Sequence, residues 1–578
     1  MLMKKVSILF IFQFLILYGI TGVAQNHWGK GQFSGNFGFN GMYYIPDTLI
    51  HARAVKEKVR GNAWLSLNYV NNGLSIGLCY EFYSFPLIDF EDINYKGQGL
   101  TRYYVDYQNN FIQVTAGTFY DQFGQGLSLR AYEERQLGID NSLLGARVKV
   151  MPYKGIILKG VWGLLRKNFD FDYKNRHDYV RGLDGEINFG TLIPKIAEKG
   201  FSLSVGGSFV SKYEKSTDDI AVNYYHDGRW NAGSIPANKI PENVGLWAAR
   251  MEFGYKGFHL ESEFAHKIND PNITNQYIYK DGNSFIINAA YSQKGLGVQA
   301  AFIRADNMDF RSQRSQLSTT PLLSINYIPA INHPYTFALL SNYQYSVQNN
   351  GQIGVEAEVH YQIPKTTVLG GKYGTNLSFY FSRFHDIEHK SVALAKEIQT
   401  ETGTQGYTSH FFKFGKHLLY QDIGININHR FNAKQWKLEV AYNYITYNME
   451  ILRGHLGPLF HGHNVMGQVD YQISKKHALK LEIEHLYAKE DDGNWVSGLL
   501  EYTFAPNWFI SIADQWNYGN KVRTQRIHYY TLSAAYVIKT TRIALTFGKT
   551  REGILCVGGV CRSVPASYGL GLSVTTSF

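Results

Sequence analysis

The sequence predicts an all-β chain closed into a single transmembrane antiparallel β-barrel of about 26 strands (range about 20–26), with short turns at one end and long loops at the other. Three observations carry that expectation. The chain from Gly31 onward is a succession of period-two rows, one apolar and one polar. Short turns alternate with long polar loops, which gives an even strand count with both termini at the short-turn end. Composition agrees: 42 Tyr, 36 Phe and 56 Gly suit aromatic girdles and tight turns, while charged residues make up 18%, below the roughly 25% of a soluble domain.

The first element is an export signal. Lys4 and Lys5 precede an apolar run from Val6 to Tyr18, and Gly22-Val23-Ala24 offers small residues to a signal peptidase, so residues 1–24 read as a signal peptide and 25–578 as the barrel. The run is shorter than the ~20 residues of a spanning helix. Lipid then demands a closed barrel, because every backbone polar group must be satisfied internally. The formal charge of +10 drops by two once Lys4 and Lys5 leave. No basic block or basic helix is present, so nucleic acid is not an expected partner.

The first strand holds Phe33, Gly35, Phe37, Phe39, Gly41 and Tyr43, close to the expected mature start, which leaves no room for a leading globular plug. Ala63, Leu65, Leu67 and Tyr69 lead through Asn71-Asn72-Gly73 to Leu74, Ile76, Leu78, Tyr80 and Phe82, a hairpin signal of two alternating runs around an Asn-Gly turn. Further short turns are read at 152–155, 256–257, 293–295, 432–435, 474–476, 505–507 and 539–541. Long loops are read at 214–243, 385–415, 447–463 and 517–527. Strand assignment is least secure at 322–345. The last strand, Tyr568 to Phe578, puts Tyr568, Leu570, Leu572, Val574 and Phe578 on an apolar face and Gly and Ser on the other. It resembles the C-terminal signal by which bacterial outer-membrane barrels are recognised for insertion, and so implies contact with the barrel-assembly machinery.

The densest charge lies at 121–141, the third long loop, with Arg130, Glu133, Glu134, Arg135 and Asp140, followed by Arg147 on the next strand. Opposed charges on a loop folded into a barrel set up a field across a constriction. Leu127, Leu129, Leu137 and Ile139 point to a packed loop, and an ion-pair cluster or partner-binding loop stays open beside the constriction. Cys556 and Cys561 flank Val-Gly-Gly-Val; a two-residue Gly-Gly turn sets them opposite each other, within reach of a disulfide. Cys79 is left as a lone thiol. His455, His461 and His463 are weak metal candidates in a Gly-rich loop, with solvated or lipopolysaccharide-facing histidines the alternative. No nucleophile elbow, zinc helix or phosphate loop is present, so neither an enzyme nor a cofactor is expected.

The runs G-Q-G-L-S-L-R-A-Y-E-E-R-Q-L-G-I-D-N-S-L-L-G-A-R-V and C-V-G-G-V-C-R-S-V-P resemble an uncharacterised family of large outer-membrane barrels from Bacteroidota, which are Gram-negative. The resemblance implies fold and compartment and supplies no catalytic residue. The sequence thus points to a porin-like channel for small hydrophilic solutes, lined or gated by the third long loop. The alternative is a scaffolding barrel with a filled lumen that contacts outer-membrane partner proteins. Either would sit among outer-membrane lipid and lipopolysaccharide.

Overall fold

The computed structural model describes residues 31–578 apart from 91–95, 168, 170–177, 217, 227–228, 317–322, 392–401 and 432–434. The expected signal peptide, 1–24, lies outside the described residues. Alternation along the chain yields 24 strands in one antiparallel sheet. The first eight are β1 (Gln32–Tyr44), β2 (Val59–Asn71), β3 (Leu74–Phe85), β4 (Gln98–Gln108), β5 (Ile112–Phe119), β6 (Leu143–Tyr153), β7 (Ile156–Leu165) and β8 (Asp178–Asn188). Then come β9 (Phe201–Glu214), β10 (Asn243–Tyr255), β11 (Phe258–Lys267), β12 (Gly282–Gln293), β13 (Leu296–Asp306), β14 (Gly351–Ile363), β15 (Thr375–Ile387) and β16 (Phe414–Phe431). The last are β17 (Trp436–Tyr447), β18 (Phe460–Gln472), β19 (His477–Ala488), β20 (Trp495–Phe504), β21 (Trp508–Trp516), β22 (His528–Ile538), β23 (Thr541–Thr550) and β24 (Ser567–Ser577).

The barrel closes where β24 pairs antiparallel with β1, Val574 opposite Phe39 and Leu570 opposite Tyr43. Phe578 completes the seam by exchanging backbone hydrogen bonds with Gly35 at 2.7 and 3.0 Å. A closed sheet has no edge left to pair with another chain. Along the outward insertion-signal row Leu570 is exposed, Tyr568 and Leu572 are half-buried, and Val574 is buried beside its cross-strand neighbours Phe39 and Ile543.

Twenty-four is inside the expected range. Of the additional segments read as strands, 322–345 falls in the connection from β13 to β14, whose described residues 307–316 and 323–350 pack into the barrel interior; Leu322 lies outside the described residues. The outer rows are apolar, with Ile76, Val105, Leu183, Ile425, Leu481 and Ile512 exposed. Rings gather at both ends of this band, including Tyr179 with Tyr213 near the loops and Phe201 with Tyr255 near the turns. The inner rows depart from expectation. They are uniformly polar only in the turn-end half; toward the loops apolar residues enter them, as in Val244, Leu246 and Ala248 on β10 ahead of Arg250 and Glu252, interspersed with buried polar groups such as Lys212, Lys267 and Asp422. The cause lies in what fills the loop-end half of the lumen. Among the described residues no helix is long and apolar enough to cross a membrane.

Candidate functional site

The loop-end half of the lumen is occupied by chain from three connections, 120–142, 307–350 and 551–566. Segment 120–142 turns sharply at Gly124, where φ is +52° and a Cβ would meet the Glu263 carboxylate at 2.4 Å, so glycine lets that carboxylate stay where it accepts from the plug. That carboxylate, from β11, accepts a hydrogen bond from Gln125 N at 2.6 Å. The segment then pairs with 307–350: Arg130 N donates to Ile325 O at 2.8 Å and Tyr327 N to Gly126 O at 2.9 Å, while Ile325 N reaches Phe310 O at 2.8 Å. Backbone groups carried into a dry interior must find such partners. Phe123, Leu127, Leu129, Phe310, Ile325, Leu339 and Leu340 are fully buried and form one apolar cluster with the inner wall.

Polar wall residues bind the plug's backbone and tyrosines. Glu484 accepts from Ala338 N and Leu339 N at 2.7 and 3.2 Å, and Asp422 accepts from Tyr335 Oη at 2.6 Å. Lys212 and Lys267 donate to Arg311 O and Asp309 O at 2.7 and 2.6 Å. Tyr343 stacks on Phe460 with centroids 4.0 Å apart, and Tyr345 on Phe384 at 4.2 Å.

The charged residues of the third loop divide. Glu133 and Asp140 join Glu81, Arg102, Arg135 and Arg166 in one network. Arg102 lies 3.0 Å from Glu133, Arg135 2.6 Å from Glu133, and Arg166 3.0 Å from Glu81 and 2.5 Å from Asp140. Burial alone would push the Asp140 carboxyl up, but Arg166 and Arg102 hold it below the usual carboxylate range. Burial raises Glu133 against the pull of Arg102 and Arg135. The remaining loop charges lie outside this network. Arg130 is held between the rings of Tyr132 and Tyr327 at 4.4 and 3.9 Å, and Glu134 accepts from Gln136 N at 3.1 Å. Arg147, on β6, lies 3.6 Å from Asp106 and 3.9 Å from Asp121.

Glu81, Glu133 and Asp140 are the one acidic group among the described residues close enough to share a metal ion. Three guanidiniums already face these three carboxylates, so the donor set is matched by arginine and does not fit a cation. The histidine candidates do not converge. His461 and His463 lie on β18 rather than in a loop, facing outward with Nδ1 at 2.9 Å from Tyr444 Oη and Tyr442 Oη respectively, and His455 is exposed beyond the short helix Met449–Arg453.

Cys556 and Cys561 form a disulfide directly across a hairpin whose turn is Gly558-Gly559, at φ +57° and +80°. The hairpin tip reaches the plug: Val347 N donates to Gly559 O at 3.1 Å and Tyr327 Oη to Gly558 O. Arg562 donates to Gln136 O at 2.9 Å and lies over Phe90 at 4.7 Å. Cys79 is a free, buried thiol on the inner wall, 3.2 Å from Arg102 Nη2. Sequence spacing gave no sign of Glu81, Arg102 or Arg166, because they sit on separate strands and loops and meet only in space.

Below the plug the turn-end half of the lumen is polar and open. One cavity of about 720 Å³ is lined by residues such as Asn68, Arg102, Tyr104, Asp106, Glu133 and Arg147. Another of about 450 Å³ lies under His333, beside His360, Asn428, Arg430, Lys437 and Glu439.

The chain is similar to the translocation pore of the P pilus usher PapC at 9% identity and TM-score 0.38, covering 94% of this chain and 99% of that one. It is similar to the siderophore receptor PirA from Pseudomonas aeruginosa at 9% identity and TM-score 0.40, covering 94% and 80%. Pseudomonas aeruginosa OpdK, solved with vanillate, gives 10% identity and TM-score 0.31 over 73% and 97%. No curated protein matches the chain. Residues 3–578 match the family described as "Family of unknown function (DUF6029)", and the chain belongs to that family.

Proposed function

We propose that the chain is an integral outer-membrane barrel that keeps its lumen closed at the loop end, acting as a scaffold for outer-membrane partner proteins rather than as an always-open porin. The observation that carries this reading is the apolar cluster joining plug to wall, with Leu127, Leu129, Ile325 and Leu339 inaccessible to solvent. A conducting pore needs continuous water, and a plug packed dry against the wall works against it. Outward apolar rows between two aromatic bands support the membrane placement. Both termini and the short turns would face the periplasm, and the long loops lipopolysaccharide and the outside.

A second reading, a gated channel for small hydrophilic solutes, is favoured by the polar turn-end cavity that ends at Arg102 and Glu133. Planar-bilayer conductance separates the two. Three proteins are compared: wild type, the Arg130, Glu133, Glu134 and Arg135 alanine variant, and a variant with 309–348 replaced by a Gly-Ser linker. Silence from the first two with steady current from the third supports the closed barrel. Steady current through the wild type overturns it, and current on charge removal alone moves the assignment to the gated channel.

A further inference from the structure

The eleven short-end connections of the barrel carry a one-sided charge. Lys154, Lys256, Lys294 and Lys539 sit one to each of four two-residue turns. The two longer connections, 189–200 and 364–374, hold Lys195 and Lys199, and Lys365 and Lys372; Lys475 and Lys476 share the turn 473–476. Every one of these lysines is exposed. Against them stands a single acid in these connections, Glu198. The whole chain is far closer to balance, with 57 Lys and Arg to 47 Asp and Glu, so the bias belongs to the rim.

Backbone geometry gives an independent reason to read two of these lysines, Lys256 and Lys539, as present for their side chains. The turn at 72–73 places Asn72 in the left-handed region at φ +48° ahead of Gly73, the pairing such hairpin turns prefer. Lys256 and Lys539 occupy the same region at φ +43° and +53°. Lysine lacks the short polar side chain that lets Asn tolerate this conformation. A residue poorly suited to the turn recurs where Asn would serve the backbone better.

We infer that this arc of turn lysines binds the phosphates of anionic phospholipid headgroups in the leaflet at the turn end. The inference rests on the membrane placement proposed above. The lysines follow the circumference instead of gathering in one patch, as suits a planar headgroup layer around the barrel rather than one docked protein. They lie next to the turn-end aromatic band, and Lys256 and Lys372 rest their ammonium groups 5.0 and 5.8 Å from the rings of Tyr255 and Tyr373. A long stem along an interfacial ring with its charge in the headgroup layer is the arrangement by which lysine anchors to a membrane.

The test is to reconstitute the full chain in nanodiscs of mixed phosphatidylglycerol and phosphatidylcholine and measure by native mass spectrometry the lipids that stay bound. Wild type is compared with a variant carrying Lys154→Gln, Lys256→Asn, Lys294→Gln and Lys539→Asn. The wild type should retain phosphatidylglycerol several-fold above its bulk share, at about five-fold per lysine in headgroup contact, and the variant should fall toward the bulk ratio. Unchanged or raised thermal stability of the variant, expected because Asn suits these turns, excludes misfolding as the cause. A wild-type annulus at bulk composition, or a variant as enriched as wild type, overturns the inference. So does a native-membrane pull-down in which the variant loses an acidic protein while its lipid ratio stays unchanged. Failure of the wild type to insert in either lipid would instead overturn the membrane placement.

Discussion

Arg166 is fully buried and faces two carboxylates, Glu81 and Asp140, that are themselves nearly inaccessible. Removing one partner from such a group leaves uncompensated charge, so Arg166→Met should destabilise the fold by about 3–5 kcal/mol. The check is the urea midpoint of refolding into detergent or vesicles. The same network sets a pH dependence. Asp140 binds its proton less readily in the folded state than in the unfolded chain, so its contribution is complete above about pH 4, the ordinary carboxylate value, and is lost as pH falls through its lower folded value. Glu133 runs the other way: its raised folded value makes proton uptake on acidification favour the fold. Asp140→Asn should therefore flatten the acid-side loss of stability and Glu133→Gln should steepen it, as read from midpoints at several pH values. The third loop's charge is visible in the sequence, but its partners are not: Glu81 and Arg102 look like any members of a polar row, and no local pattern says which charges oppose each other through the lumen.

Among the elements, the hairpin 553–564 was the most legible, because a Gly-Gly turn fixes which residues face each other and the cysteines follow from that register. What the sequence concealed is that the tip points inward onto Tyr327 and Val347. Replacing Cys556 and Cys561 by Ser should cost about 2 kcal/mol locally, as expected for so small a loop. Hydrogen exchange is expected to rise at 553–564 and, through the lost tip contacts, at 327–347. The segment 307–350 was the least legible. Its run of Leu, Ile, Tyr and Phe imitates strand composition, yet Pro321, Pro329 and Pro334 break it at intervals that no central barrel strand tolerates. Those prolines were the available signal. The apolar stretches on the inner rows, such as Val244 to Ala248, were equally readable only in hindsight, since an inner row meets plug at one end and water at the other.

For the whole molecule, the wall follows from alternation and the filling does not. Period two specifies an inside and an outside but is silent about what occupies the inside. Excising 309–348 should accordingly leave the wall assembled, with retained heat-modifiable migration in gels, while lowering its thermal stability as the inner apolar rows meet water. The position of the disulfide hairpin carries a consequence for biogenesis. It directly precedes β24, the strand that completes the cylinder against β1. Only two residues separate the hairpin, which touches Tyr327 and Val347, from the strand that meets β1, so the stopper and the seam are tied together along the chain. On the closed-barrel reading proposed above, an unfinished barrel would be open sideways and lengthways at once, and closing the seam would shut both.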